Sequence, residues 1–171
     1  VRENFDEAFS LVIKHEGGYV NNPKDPGGMT NLGVTKKVWE EYVGHEIDEM
    51  TMRHLSIDDV KPLYKKLYWD KIRGDDLPEG LDYAAFDFSV NSGTGRAAKF
   101  LQRIVGANQD GAIGPATLKA LEACNASELV TELCEERQKF LESLPIFPTF
   151  GKGWTARVSE VEKHAFQMAT A

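Results

Sequence analysis

The apolar positions fall into a series of helical stripes separated by short polar breaks. Phe5, Phe9, Val12 and Ile13 recur at the i, i+4, i+7, i+8 spacing of one helix face. They predict a first helix over about residues 4–16, with Asn4 as its N-cap. Glu16, at i+11, lies on that same face, where a carboxylate is costly unless it is paired or protonated. The next stretch is rich in Asn, Pro and Gly, excludes helix, and reads as a tight loop or small hairpin. Thr35 then caps a short helix from Lys36 to Tyr42, and Gly44 ends it.

Further along, Ser56 and Asp59 have the spacing of a capping box. Val60, Tyr64, Leu67 and Tyr68 form the next stripe. Pro62 interrupts it, so that helix either begins near Lys61 or kinks there. Leu81 to Gly93 is apolar on nearly every side and predicts a central buried helix, with Asp87 and Asn91 as its polar exceptions at i, i+4. Either the pair holds the Gly-rich loop in place or it lines a cleft beside Glu16; loop anchoring is the expected role for Asp87. Ala97, Leu101, Ile104 and Val105 mark an amphipathic helix. Leu129, Val130, Leu133, Phe140 and Leu141 mark a long one over 127–143. Pro145 and Pro148 break the chain, Phe147 and Phe150 are expected over the core, and Gly153-Trp154 opens the last helix. The expected fold is mainly α, with one small β-hairpin or irregular loop after the first helix.

Composition narrows the classes. The chain has 171 residues, 42% of them apolar, enough for one domain and a sizeable core. No run approaches a membrane span, so no stable membrane insertion is expected. The polar, acidic start predicts no signal peptide and a cytoplasmic protein until release to the periplasm or cell wall. Residues 1–95 carry 11 Lys/Arg against 18 Asp/Glu, whereas residues 96–171 carry 9 of each. The acidic balance argues against nucleic acid, and no basic stripe with interleaved aromatics is evident. Cys124 and Cys134 make neither a metal set nor a disulfide framework and read as two buried thiols. The histidines, His15, His45, His54 and His164, lack ligand spacing, so no metal or cofactor is expected.

The chemistry concentrates after the first helix. A Glu at a helix end, Asp25 nine residues on and Thr30 five beyond suit glycoside hydrolysis, which needs a protonated carboxyl and, opposite it, a carboxylate or water-positioning group. Burial would keep Glu16 protonated, and a polar loop would leave Asp25 ionised. The alternative is that Glu16 merely salt-bridges and Asp25 is a turn residue. Tyr68 and Trp69 either stack on sugar rings or fill the core.

The string Glu-Gly-Gly-Tyr, then Asn-x-Pro-x-Asp-Pro-Gly-Gly-x-Thr, resembles glycoside hydrolase family 108, phage and prophage muramidases. It is matched through Glu16–Tyr19, Asn21, Pro23, Asp25–Gly28 and Thr30. The Phe-Asp-Phe-x-Val-Asn-Ser-Gly segment around Asp87 and Asn91 also resembles that family. Leu-Gln-Arg-x-x-Gly with Asp-Gly-x-x-Gly-Pro-x-Thr-Leu, from Leu101 to Leu118, resembles a helical peptidoglycan-binding repeat. The resemblance implies a lysozyme-like fold, with a catalytic part over 1–95 and a peptidoglycan-binding-like part over 96–171. It implies a monomer acting on peptidoglycan glycan strands, with Glu16 as the acid and Asp25 and Thr30 orienting water. Tyr19, Asn91, Tyr68 and Trp69 are the expected substrate contacts. If Asp25 positions water, its carboxyl should stand about 6.5–9.5 Å from that of Glu16. The alternatives are a lytic transglycosylase and a non-catalytic wall-binding or secretion-associated protein.

Overall fold

The structure is a computed structural model that describes residues 2–22 and 28–171, Arg2 by its backbone alone. Two compact units divide the chain: residues 9–67, and residues 1–8 together with 68–171. Helix α1, Phe5–Ile13, contributes to both.

In the 9–67 unit, α1 stops three residues earlier than its stripe suggests. His15 N and Glu16 N donate to the carbonyls of Val12 and Ile13, the tightened turn that closes many helices and leaves Glu16 just beyond the end. A three-stranded antiparallel sheet follows, formed by β1 (Val20–Asn21), β2 (Met29–Asn31) and β3 (Val34–Thr35) in that order. Three helices complete the unit, and each has a side-chain N-cap. Thr35 Oγ1 accepts from Val38 N at the start of α2, Lys36–Val43, which ends at Gly44 as expected. Asp48 caps α3, Glu49–Arg53, accepting from Thr51 N at 2.8 Å.

The Ser56–Asp59 capping box starts α4, Ile57–Tyr64, so that helix begins well before Lys61 and carries Pro62 inside it. Pro62 is tolerated because it lies on the solvent face. The carbonyl it deprives of a helical partner belongs to exposed Asp58, within reach of solvent. The core is Phe9, Val12, Ile13, Val34, Trp39, Met52, Val60, Leu63 and Tyr64. The rings of Phe9 and Tyr64 meet with centroids 5.5 Å apart.

The other unit is built on α5, Leu81–Ser92, which is buried continuously from Leu81 to Ser89, as its all-round apolar sequence predicts. Around it lie α6 (Thr94–Val105), α7 (Pro115–Glu122), α8 (Ala126–Glu142) and α9 (Phe147–Thr170). Asn4 does not cap α1. It is the last residue of a 3-10 turn, Arg2–Asn4, that runs straight into the helix, and it is buried, its amide donating to Asp82 Oδ1 at 2.8 Å. Gln102 ties the loop between α6 and α7. Its Nε2 donates to Asp110 Oδ1 (2.8 Å), Ala112 O (3.0 Å) and Thr117 Oγ1 (3.2 Å), while its Oε1 accepts from Gly111 N. The Gln…Asp-Gly…Thr motif is therefore a hydrogen-bonded joint, with its buried amide satisfied on both ends.

Helix α9 begins at Phe147 rather than at Gly153 and runs through both Gly151 and Gly153. A Cβ on Gly151 would lie 2.7 Å from the Phe147 ring, so the bare α-carbon makes room for that ring against the helix. Phe150 is not over the core. It is exposed and stacks on Trp154, centroids 5.7 Å apart. Cys134 is buried, its thiol pushed up to about 12 chiefly by burial, but Cys124 is exposed, contrary to expectation. Among the described residues, no helix is long and apolar enough to cross a membrane.

Candidate active site

The Glu16 segment and the β2–β3 turn are stitched together. Leu32 N donates to Gly17 O at 2.9 Å, and the Tyr64 hydroxyl donates to Leu32 O at 2.7 Å. The turn between Asn31 and Val34 has two central residues, Leu32 (φ 53°) and Gly33 (φ 78°), both left-handed, as a tight two-residue hairpin turn requires. A leucine in that region is uncommon and costs about 1–2 kcal/mol. Its two backbone hydrogen bonds, one on each side, hold it there against that cost.

The turn delivers Gly33 beneath the carboxyl of Glu16. A Cβ on Gly33 would lie 2.7 Å from Glu16 Oε2 and 2.5 Å from the Tyr64 hydroxyl oxygen. The acid and the phenol thus converge on one bare α-carbon. Glu16 itself is half-buried, with less cover than its place on the helical stripe suggests, because it stands in the bend after α1. The Gly33 turn and the Tyr64 hydroxyl lie against it.

Thr30 lies in the middle of β2, half-buried and opposite both Val20 and Thr35. Its β2 neighbour Asn31 points the other way, into the core, and donates to Met52 O at 2.8 Å. Tyr19 precedes β1. Its hydroxyl donates to Glu49 at 3.2 Å, and the Arg53 guanidinium sits 4.4 Å from its ring centroid. Asp25, and with it the expected carboxyl separation, lies outside the described residues.

The remaining candidates belong to the other unit. Asp87 is fully buried and receives Arg137 at 2.7 Å and Arg157 at 2.9 Å. Burial opposes its charge, but the two guanidiniums outweigh that and hold its carboxyl below the usual range. Its partners stand on α8 and α9, so it joins three helices rather than anchoring the Gly-rich loop. Asn91, one turn on, accepts from Arg137 at 3.2 Å and extends the same network. Trp69 requires a correction as a sugar contact. It is fully buried, donates to Asp75 at 2.9 Å and meets Phe5 and Phe86 edge-on. The α-carbon of Gly74 closes over its ring, since a Cβ there would come within 2.4 Å. A tryptophan with no exposed face cannot stack on a sugar. Tyr68, beside it, is half-buried.

Sequence reasoning placed Tyr64 in a core stripe and missed its hydroxyl. Neither Leu32 nor Gly33 enters that reading. The available signal was the Asn-Leu-Gly-Val turn, whose glycine at the second turn position fits a hairpin ahead of a capped helix.

A helical protein that sets a half-buried carboxyl at the exit of its first helix, beside a small hairpin, has the makings of a lysozyme-like glycoside hydrolase. Residues 9–93 match a family model described as Glycosyl hydrolase 108, and residues 96–159 match one described as Predicted Peptidoglycan domain. The chain is 42% identical to the solved structure of Brucella abortus SagA, with a TM-score of 0.89, covering 100% of this chain and 98% of that one. No curated protein matches it. The chain belongs to the glycosyl hydrolase 108 family. It is a glycoside hydrolase with a lysozyme-like, mainly helical fold, and peptidoglycan is its substrate partner.

Proposed function

We propose that the protein is an N-acetylmuramidase that cleaves the β-1,4 bond between N-acetylmuramic acid and N-acetylglucosamine in peptidoglycan. Glu16 protonates the leaving oxygen. Asp25 and Thr30, the latter on the central strand of the small sheet, orient water or stabilise the oxocarbenium-like transition state. Tyr19 lends its ring to the substrate. The single observation that supports this reading best is the convergence of Glu16 and the Tyr64 hydroxyl on Gly33. A carboxyl so placed is held in one position by the turn, and fixed position is what a general acid contributes beyond its proton.

The turn also explains why the acid follows the helix instead of lying within it. In a helix interior the carboxyl would share its face with Phe9 and Val12, both buried. In the bend it stays half-exposed.

A turbidity assay on purified cell walls tests the reading. The wild-type chain clears the suspension. A chain that binds walls without clearing them is a wall-binding protein, and the reading is wrong.

A further inference from the structure

The chain carries a formal charge of −7, yet α6 carries Arg96, Lys99 and Arg103 and no acidic residue. The three cations border a groove of about 430 Å3 lined also by Phe100, Gln109 and Phe140. They are not loose surface charges. The Arg96 guanidinium lies 4.4 Å from the Phe140 ring centroid, and the Arg103 guanidinium 4.5 Å from that of Phe100. The two rings pack together with centroids 5.8 Å apart, and Phe100 packs in turn on buried Phe88. An arginine laid on an aromatic ring loses little freedom on binding and keeps N–H edges available.

The existing partners of these cations are modest. Arg96 donates to Ser92 O at 3.3 Å. Arg103 donates to Gln109 at 3.4 Å and stands 3.8 Å from Glu136. Lys99 has no hydrogen-bond or ion-pair partner among the described residues; its stem lies over Gly111. The sequence hid this surface, because Phe140 joins it from α8, some forty residues away.

We propose that this groove docks the stem peptide of peptidoglycan through the peptide's free carboxylates. The choice of partner rests on the wall-hydrolase reading and on the peptidoglycan-domain match, which contains all three cations and both rings. Charge complementarity then selects the part of the polymer. The sugar backbone is neutral once the lactyl group is amide-linked, so the anionic groups of the wall strand are those of its peptides. The phenyl rings offer an apolar floor for the alanine side chains between them. A net-negative hydrolase thereby holds an anionic substrate through one locally positive face, an electrostatic arrangement that favours register and encounter.

The test compares full-length wild type with the triple variant Arg96→Gln/Lys99→Gln/Arg103→Gln in sedimentation with intact sacculi and with glycan strands stripped of their peptides by an amidase, their freed lactyl carboxyls then capped as methylamides so that the strands are neutral. The proposal expects the triple variant to bind intact sacculi about tenfold more weakly, with equal binding to stripped strands. Wild-type binding to sacculi, but not to stripped strands, should also weaken as salt rises. If the triple variant fails to fold, Lys99→Glu, an exposed reversal that breaks no ion pair, replaces it and should show the same selective loss. Undiminished binding to sacculi, or an equal loss on both polymers, overturns the proposal. So does loss of binding only to phosphatidylglycerol vesicles, which would assign the groove to a membrane surface. Selective loss of sacculus binding in a protein that clears no walls would sustain the groove while sinking the muramidase reading.

Discussion

Glu16 and Asp87 are both carboxylates on or beside apolar helix faces, and the two units hold them in opposite ways. Asp87 lies fully buried under two guanidiniums from two other helices. Glu16 stands in a bend, half-buried, against a bare glycine and a phenol. An acid that is fully paired and sealed holds helices together and has no proton to give. A carboxyl left half-exposed, as that of Glu16 is, keeps the access to solvent that the proposed proton transfer requires. Burial alone does not separate a structural carboxylate from a chemical one; what seals the remaining side does.

Substitutions should split along that line. Glu16→Gln keeps size and fold, so its melting temperature should match wild type while wall clearing falls by roughly 10²–10⁴-fold. A Gln variant clearing walls at the wild-type rate would remove Glu16 from the mechanism. Asp87→Ala should do the reverse. Leaving two arginines without their shared carboxylate, one of them buried, should cost about 3–5 kcal/mol in urea unfolding. Its activity should fall only as far as the unfolded fraction rises. A variant that unfolds like wild type yet clears no walls would place Asp87 in the chemistry and erase the contrast.

Gly33→Ala sharpens the comparison at the acid itself. The added methyl strains a left-handed residue and collides with Glu16 and Tyr64. Displacing a reacting group by about an ångström can cost 10²-fold, so kcat should fall by roughly that factor with little change in KM. A raised KM with kcat intact would mean that Gly33 contacts sugar rather than seating the acid. Tyr64→Phe removes one hydrogen bond to Leu32 and should cost about 1 kcal/mol of stability with a severalfold loss of rate.

The smallest effect concerns pH. The carboxyl of Asp87 titrates below its unfolded value of about 3.9, so its stabilisation is present above that pH and lost as pH falls through the folded value. Acid unfolding should therefore steepen below about pH 4, and Asp87→Asn should flatten that limb.

The same contrast explains what the sequence could disclose. Elements with local causes were legible. Thr35 capping α2, the Ser56–Asp59 box and the all-apolar α5 depend on residues a few positions apart, and all three form as read. Glu16 is a candidate for the same reason, because its position after an apolar stripe and before two glycines is a local signal, though the helix stops at Ile13 and leaves it in a bend. Features that depend on distant partners were not. Nothing near Asp87 announces Arg137 and Arg157, fifty and seventy residues away. Nothing in the Tyr68-Trp69 pair says that Gly74 and Phe86 enclose the indole. Helix starts failed where tertiary packing overrode the break signals: Pro62 is tolerated by facing solvent, and Gly151 is recruited to seat a ring.

Mass spectrometry of wall fragments reads directly the bond that Glu16 is proposed to break. Purified walls digested with wild-type protein should yield fragments with new reducing N-acetylmuramic acid ends, and the same digest with folded Glu16→Gln should yield almost none. Ends carrying the 1,6-anhydro ring, new reducing ends that are N-acetylglucosamine, or equal yields from both proteins would contradict that proposal.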